Sequence, residues 1–200
     1  MSNPGEQHWK DLDRIIGYVK NKKNNQIIYN SPKEMLSISY SDSNYASDTD
    51  DRKSISGIVN TIGGMLTSWT SKKQPSVTLS TTEAEYVAIS VCAQESIFQN
   101  KLLKELGVYN RSALIKYDNI GSLFIIDNNQ VSNRTKHIDV RHHFIKDLRK
   151  NGDIEVEHVK SEDNVSDILT KNTSTEIFNK LSGRILNGKC DDTRENDKYD

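Results

Sequence analysis

The stretch TLSTTEAEYVAIS, residues 78–90, has the features of a helix N-terminus. Ser80 can accept hydrogen bonds from the free N–H groups of the first turn, and Glu83, three residues later, completes a capping box. Apolar side chains then recur at helical spacing, at Ala84, Val87, Ala88 and Val91. Glu85 lies in the second turn, beside residues that should be packed. Because a buried carboxylate is costly unless a cation compensates it, Glu85 is a candidate metal ligand.

The rest of the chain alternates between strand and helix patterns. Strands are predicted at residues 35–42, 54–62, 65–70, 113–118 and 153–159. Helices are predicted around residues 9–19, 81–106, 119–127, 135–150 and 175–186, and a short helix carries Asp167. This order predicts an α/β fold with a mixed five-stranded sheet, in which three antiparallel strands are followed by parallel additions and helices flank the sheet.

Composition limits the function classes. The 200 residues favour one domain with appended segments. Lys and Arg number 27 against 28 Asp and Glu, so nucleic-acid binding would have to come from local basic patches. Two cysteines suggest neither a disulfide framework nor a zinc site. Without an apolar run of about 18 residues, no membrane span is expected.

Four acids occupy positions where predicted elements begin or end: Asp42, Glu85, Asp118 and Asp167. Carboxylates placed in this way can converge at one edge of a sheet, and their oxygens suit Mg²⁺ or Mn²⁺. Two such ions about 4 Å apart support phosphodiester cleavage. Because the chain has 28 acids, spacing alone favours the alternative that these are solvated surface residues.

A series of motifs resembles the ribonuclease H domain of copia-type LTR-retrotransposon Pol polyproteins. In chain order the motifs are YSDSNYASDTDDRKSISG, SWTSKKQPSVTLSTTEAEYVAIS, LLKELG, YDN, NRTKHIDVRHHFI and VSDILTK. Upstream, NPGEQHWKDLDRIIGYVK resembles the last helix of the reverse transcriptase region. The resemblance runs from Trp9 to Leu186. It implies a ribonuclease H-like fold and an endonuclease that hydrolyses the RNA strand of RNA–DNA hybrids.

The resemblance also implies roles for the acids. By motif position, Asp42, Asp118 and Asp167 are catalytic and bind two Mg²⁺ ions, with Mn²⁺ as an alternative, and Asp42 is shared by both ions. TEAEY holds two glutamates whose side chains lie about 200° apart on a helix. Glu85 is favoured because an apolar residue, a variable residue and an alanine follow it, as in related ribonucleases H. Glu83 remains the alternative and has a capping role.

Selection of a hybrid requires contacts with 2′-hydroxyls on one strand and with phosphates on the other. The substrate-binding candidates are Ser43, Asn44, Lys72, Lys73, Gln74, Asn119, Arg134 and Lys136. For the basic residues, a solvated turn or helix face is the competing interpretation. Trp69 and Tyr86 are predicted to be core residues rather than platforms for base stacking.

We divide the chain into four parts. Residues 1–30 are a remnant of the last reverse transcriptase helix with a linker, and residues 31–172 form the ribonuclease H-like domain. Residues 173–188 are a C-terminal helix, and residues 189–200 are a disordered polar tail.

In an intact element the domain is expected to be fused to reverse transcriptase. It would act in a cytoplasmic virus-like particle, with the nucleus as an alternative, and have no membrane partner. The alternative function is that of a catalytically inactive, retrotransposon-derived fragment that binds nucleic acid or protein.

Overall fold

The computed structural model describes residues 4–32, 34–108, 111–119 and 136–190, with side chains in the last range from residue 140. These ranges contain four α-helices: α1 (Glu6–Asn21), α2 (Thr81–Glu105), α3 (Lys136–Lys150) and α4 (Thr175–Leu186). They contain five strands: β1 (Ser37–Asn44), β2 (Ile55–Ile62), β3 (Met65–Lys73), β4 (Ala113–Tyr117) and β5 (Ile154–His158). Two short 3₁₀ turns, Ser161–Asp163 and Val165–Leu169, lie between β5 and α4.

The five strands form one mixed sheet in the order β3-β2-β1-β4-β5. The β1–β2 and β2–β3 pairs are antiparallel, and the β1–β4 and β4–β5 pairs are parallel. The predicted mixed five-stranded sheet is therefore confirmed. Strand β3 extends past the predicted end at residue 70, because its pairing with β2 continues to the Ile55–Lys73 pair. Nearly all of the helix predicted at 119–127, and the tail after residue 190, lie outside the described residues.

Helices cover both faces of the sheet and create two cores. On one face, α2 and α3 pack on the sheet through buried residues that include Tyr86, Ile89, Ile115 and Ile145. On the other face, α4 and the second 3₁₀ turn pack through Ile38, Tyr40, Val165 and Leu181 among others. Helices and turns cover β1 and β4 on both sides, so these central strands are almost wholly buried.

Helix α2 begins where the capping pattern predicts. The backbone N–H of Glu83 donates to Ser80 Oγ at 3.1 Å, while the Glu83 carboxylate accepts from the N–H of Leu79 at 2.6 Å, one residue before the expected partner. The prediction of a single packed face was incomplete, because every residue from Ala84 to Ser90 is buried. The second covering layer is α3, whose His142 ring lies 6.0 Å from that of Tyr86.

Strand β1 presents different chemistry to its two sides. Toward α2, Ser39 Oγ accepts a hydrogen bond from Ser96 at 2.8 Å, and Ser37 Oγ accepts one from the Gln99 amide at 3.2 Å. Toward α4 the side chains are those of Ile38 and Tyr40, which are fully buried. Asp42 continues this second series, so its carboxylate emerges on the α4 side at the end of the strand.

Two apolar surfaces remain open to solvent. Helix α1, which lies wholly within the described part of the chain, has no buried residue, and its Trp9 is 67% exposed. Trp69 is 60% exposed, so the prediction that it is a core residue was wrong. It lies on edge strand β3 beside an apolar groove of about 280 Å³ that Tyr18 and Phe178 also line. Among the described residues, no helix combines the length and apolar character needed to cross a membrane.

Candidate active site

Three aspartates meet at one edge of the sheet. Asp42 is near the end of β1, and Asp118 directly follows β4, its parallel neighbour, so both lie at the same edge. The second 3₁₀ turn brings Asp167 to this point. One carboxylate oxygen from each residue lies within 4.8 Å of the others. We call Asp42, Asp118 and Asp167 the acid cluster.

Glu85 lies beside the acid cluster. It is in the second turn of α2, and only 9% of its surface is exposed. It is close enough to Asp42 and Asp118 for both negative charges to act on its carboxyl group. Glu83 instead uses its carboxylate at the start of the helix. The backbone therefore places Glu85, and not Glu83, next to Asp42 and Asp118.

Burial, together with repulsion between the acids, raises the pKa values of two of them. Burial raises the pKa of Glu85 to about 8, and the negative charge of Asp42 adds to the effect. Burial likewise raises the pKa of Asp167 to about 7, again with a contribution from Asp42. Buried carboxylates that share a site disfavour ionisation unless a cation is present. Strongly perturbed acids gathered in one place are typical of functional sites.

Hydrogen bonds hold the aspartates in position. Ser161 Oγ donates to Asp118 Oδ2 at 2.6 Å, and Thr170 Oγ1 donates to Asp42 Oδ2. The amide of Asn164, which is fully buried, donates to the carbonyl oxygen of Ser41 at 3.0 Å and lies 3.5 Å from Asp118 Oδ1. Because these partners come from the segment after β5, they fix the Asp167 turn against β1 and β4.

A lysine points into the acid cluster. Lys171 Nζ lies 3.0 Å from Asp42 Oδ1 and 3.3 Å from Asp167 Oδ1. Partial burial lowers the pKa of Lys171, but the charges of Asp42 and Asp167 outweigh that effect and raise the pKa above its usual range. The lysine is therefore a cation that compensates two of the three aspartates.

The turn that carries Asp167 also lies close to the backbone of β2 and is hydrogen-bonded to β3. Gly57 pairs with Asp42 in the sheet, and a Cβ at Gly57 would lie 2.6 Å from Thr170 Cγ2. From β3, Ser71 Oγ donates to the carbonyl oxygen of Leu169 at 2.7 Å. The absence of a side chain at Gly57 thus allows the turn to approach the sheet.

The predicted substrate-binding residues divide into two groups. Ser43, Asn44 and Asn119 lie next to the acids. Ser43 is buried beside Glu85, and the Asn44 amide donates to the carbonyl oxygen of Thr170 at 2.9 Å. Asn119 is half-buried directly after Asp118. Their contact with a substrate stays a prediction.

The second group lies at the end of β3 and on the basic helix. Lys72 is exposed, whereas Lys73 forms ion pairs with Asp48 and Asp51. Gln74 is buried, and its amide nitrogen donates to Ser56 Oγ at 2.8 Å and to the carbonyl oxygen of Ala84 at 2.9 Å. Two further predicted contacts, Arg134 and the side chain of Lys136, lie outside the described residues.

Sequence reasoning missed several residues that shape the site. Thr170 and Lys171 follow Asp167 at helical spacing in VSDILTK, so this short motif held a signal for them. Asn164 and Gly57 had no such signal, because their importance depends on which elements pack together.

The donor set fits a divalent metal ion. The acid cluster and Glu85 offer carboxylate oxygens, which are the ligands that Mg²⁺ and Mn²⁺ prefer. Asp42 is fully buried and Asp167 is 8% exposed, so their charges require a compensating cation. Lys171 shows that a positive charge is accommodated between them.

Comparison with solved structures defines the class of fold. The chain is similar to LC11-RNase H1, which was isolated from compost by a metagenomic approach, with a TM-score of 0.52 and 16% identity over 74% of this chain and 99% of that chain. The complex of LC11-RNase H1 with an RNA/DNA hybrid matches with a TM-score of 0.51 and covers 67% of this chain and 93% of that one. The predicted ribonuclease H-like fold is confirmed.

Comparison of sequences defines the family. The chain is 34% identical over 171 residues to the retrovirus-related Pol polyprotein from transposon TNT 1-94 of Nicotiana tabacum, covering 86% of this chain and 13% of that protein. It is 34% identical over 186 residues to the retrovirus-related Pol polyprotein from transposon RE2 of Arabidopsis thaliana, covering 92% and 13%. No family model matches. The chain belongs to the retrovirus-related Pol polyproteins of transposons and spans about 13% of the length of these relatives.

Proposed function

We propose that this chain is a metal-dependent endonuclease that hydrolyses the RNA strand of RNA–DNA hybrids. The observation that carries the proposal is the convergence of Asp42, Asp118 and Asp167 within 4.8 Å at one sheet edge, with Glu85 beside them. The ribonuclease H fold and the Pol polyprotein relatives support a nuclease of this type. One structural relative was solved with an RNA/DNA hybrid, which supports the choice of substrate.

The acid cluster and Glu85 would hold two Mg²⁺ ions, or Mn²⁺ in their place. When bound, such ions activate water and neutralise the charge that develops on the scissile phosphate. Hydrolysis forms a bond between the water oxygen and phosphorus and breaks the bond between phosphorus and the 3′ oxygen. The products are a 5′-phosphate and a 3′-hydroxyl, which takes up a proton.

The protein's own contribution is a preorganised set of carboxylates. Thr170 holds Asp42, and Ser161 holds Asp118, so neither carboxylate has to be ordered when the substrate arrives. Asp42 is buried in β1 and Asp118 directly follows β4, so the paired central strands fix the positions of these two acids relative to each other. Positioning of this kind supplies much of the rate enhancement in phosphoryl chemistry.

The hybrid would lie across the edge that carries the acid cluster. In this proposal, Ser43, Asn44 and Asn119 contact sugar hydroxyls near the scissile bond. The exposed ammonium group of Lys72 is available for a phosphate. These contacts would read the 2′-hydroxyls of one strand and the phosphate spacing of the other.

The proposed protein partner is the reverse transcriptase region of the same polyprotein. Helix α1 offers it an apolar surface, since Trp9 is 67% exposed and Ile15 is 59% exposed. Exposed apolar surfaces of this kind mark interaction sites. In this proposal the domain acts on newly made hybrids in a cytoplasmic virus-like particle.

A second candidate function is a binding module without nuclease activity. The observation that favours it is Lys171, which compensates Asp42 and Asp167 without a metal ion. In this alternative the acid cluster is a buried polar contact of the fold, and the chain binds a nucleic acid or protein elsewhere on its surface.

The test is cleavage of an end-labelled RNA–DNA hybrid by the purified chain in Mg²⁺. We expect cleavage of the RNA strand alone, abolished in Asp42→Asn and by EDTA. The matched control is Asp147→Asn, an exposed aspartate on α3 that should cleave like the wild type. A folded wild-type chain that leaves the hybrid intact would support the binding module, and equal cleavage by Asp42→Asn would refute the assigned site.

A further inference from the structure

Lys171 is held at a position from which its side chain enters the acid cluster. It follows the second 3₁₀ turn, and its backbone N–H donates to the carbonyl oxygen of Asp167 at 2.9 Å. This bond places Lys171 one helical turn after Asp167, on the same side of the chain. The ammonium group then reaches Asp42 at 3.0 Å as well as Asp167 at 3.3 Å.

The charge balance of the site depends on this lysine. Asp42 is fully buried and lies within 4.8 Å of two further carboxylates. A buried charge without a partner is strongly destabilising, so the folded chain needs a cation at this place even before a metal ion arrives. The side chain of Lys171 is 38% exposed. The side chain therefore has access to solvent, toward which the ammonium group can turn.

We propose that Lys171 is an internal counter-ion of the acid cluster that competes with a divalent metal ion for Asp42 and Asp167. The inference rests on the proposed function, in which these carboxylates bind the metal. An ammonium group and a divalent ion repel each other, so they cannot both stay in close contact with the same two carboxylates. The flexible four-carbon stem of lysine allows the ammonium group to turn toward solvent when the ion binds.

Competition differs in its consequences from a purely structural ion pair. A structural ion pair only stabilises the fold, and its loss would leave metal affinity unchanged or weaker. A competing counter-ion stabilises the metal-free fold and also weakens metal binding. Removal of the positive charge must therefore tighten metal binding, and this is the decisive readout.

The experiment is calorimetric titration of the EDTA-treated, dialysed full chain with Mn²⁺ and with Mg²⁺. We compare the wild type with Lys171→Met, Lys171→Arg and the matched control Lys101→Met, which replaces an exposed lysine on α2. One fewer competing charge at this distance should lower the dissociation constant by about tenfold in Lys171→Met. Lys171→Arg keeps the charge and should bind like the wild type, as should Lys101→Met. Without metal, Lys171→Met should also have a lower melting temperature than the wild type.

A dissociation constant for Lys171→Met equal to or weaker than that of the wild type would overturn the proposal while leaving the proposed metal site intact. Absence of metal binding in every variant would refute the metal site itself and the competition with it. If Lys171→Met does not fold without metal, the wild type still decides the question. With ¹³C-labelled lysine, the ε-methylene signal of Lys171 must shift on metal saturation while that of Lys101 stays unchanged. An unshifted Lys171 signal would contradict displacement.

Discussion

Asp42 and Gly57 face each other across the antiparallel pair of β1 and β2, and the space above Gly57 is filled by Thr170, which donates a hydrogen bond to Asp42. Gly57 and Asp42 thus together determine the position of the turn that carries Asp167. The cost of an added methyl group at Gly57 should be visible in both stability and activity.

Replacement of Gly57 by alanine should displace the turn. The new Cβ would lie 2.6 Å from Thr170 Cγ2 and 2.9 Å from the backbone oxygen of Ser166, and backbone cannot move aside easily. We expect a loss of about 1–3 kcal/mol in the free energy of unfolding, measured in urea, together with weaker cleavage. The matched control is Gly17→Ala in α1, where a Cβ meets nothing within 4 Å. That variant should change the free energy of unfolding by no more than about 1 kcal/mol and should not lower it, and equal losses at the two glycines would contradict this account.

Replacement of Glu85 by glutamine tests the choice between the two glutamates. Loss of a metal ligand should reduce cleavage by more than the roughly 10- to 100-fold seen for residues that only support ligands. The chain should remain folded, because a neutral amide removes a repelled charge. In the matched variant Glu83→Gln, the amide oxygen can still accept from the N–H of Leu79, so activity should persist. Inactivity of Glu83→Gln with full activity of Glu85→Gln would reverse the assignment.

Raised acid pKa values predict how the metal-free chain responds to pH. The pKa of Glu85 is about 8 and that of Asp167 is about 7, above the ordinary values of 4.5 and 3.8. Between the ordinary and the raised pKa of each group, the folded chain holds a proton that the unfolded chain has released. The stability of the folded chain therefore falls as the pH rises through this range. Urea unfolding in EDTA should show a decrease, on the order of a few kcal/mol, from pH 5 to pH 8. Asp48, whose pKa is lowered to about 2 chiefly by its hydrogen bond with Lys73, acts only below this window.

Glu85→Gln and Asp167→Asn should each flatten that pH dependence. Each variant removes one group that takes up a proton on folding. Added Mg²⁺ should also oppose the decrease, since a bound cation favours the ionised carboxylates. A pH profile that is unchanged in both variants would show that other groups control it.

Replacement of Asn164 should lower the free energy of unfolding more than replacement of an exposed asparagine. It is fully buried, and its amide joins the segment after β5 to the carbonyl oxygen of Ser41. Asn164→Ala removes this buried hydrogen bond and should cost about 1–3 kcal/mol in unfolding free energy. The exposed Asn24 provides the control, and Asn24→Ala should change stability by less than about 0.5 kcal/mol. Equal losses would show that burial of the Asn164 amide is not the cause.

Removal of residues 1–21 should leave the sheet and its helices folded. No residue of α1 is buried, and the ring of its Tyr18 packs edge-on against the ring of Phe178, with 6.0 Å between the ring centres. Loss of such a pair should cost about 1 kcal/mol. Comparison of melting curves for the full and shortened chains checks this, and a large fall in melting temperature would place α1 within the folding unit.

The sequence predicted the parts of the fold that local patterns control. Ser80 and Glu83 predicted the start of α2, and the order of strands and helices predicted the mixed sheet. Trp69 was wrongly predicted to be a core residue, because its exposure depends on its position in edge strand β3 and not on its own chemistry.

At the site, the resemblance of motifs predicted the acids, but it did not predict the residues that hold them in position. Lys171 lies 129 residues from Asp42 in the chain, and a contact of that kind is created only by tertiary folding. Gln74 shows the opposite case, since a polar residue in a basic turn suggested a phosphate contact. That contact stays a prediction, while the structure shows that the amide nitrogen of Gln74 makes buried hydrogen bonds to β2 and α2.

The buried hydroxyl contacts between β1 and α2 bear on the accuracy of assembly. Apolar side chains tolerate a helix that slides along a sheet, whereas the Ser39–Ser96 and Ser37–Gln99 hydrogen bonds are lost after a displacement of a few ångströms. A helix bound one turn out of place would leave these polar groups unsatisfied and would carry Glu85 about 5.4 Å away from the aspartates. The hydrogen bonds of Ser96 and Gln99 therefore disfavour other positions of α2 along the sheet. Because both residues lie in the half of the helix away from Glu85, contacts remote from the site fix the distance between Glu85 and the aspartates.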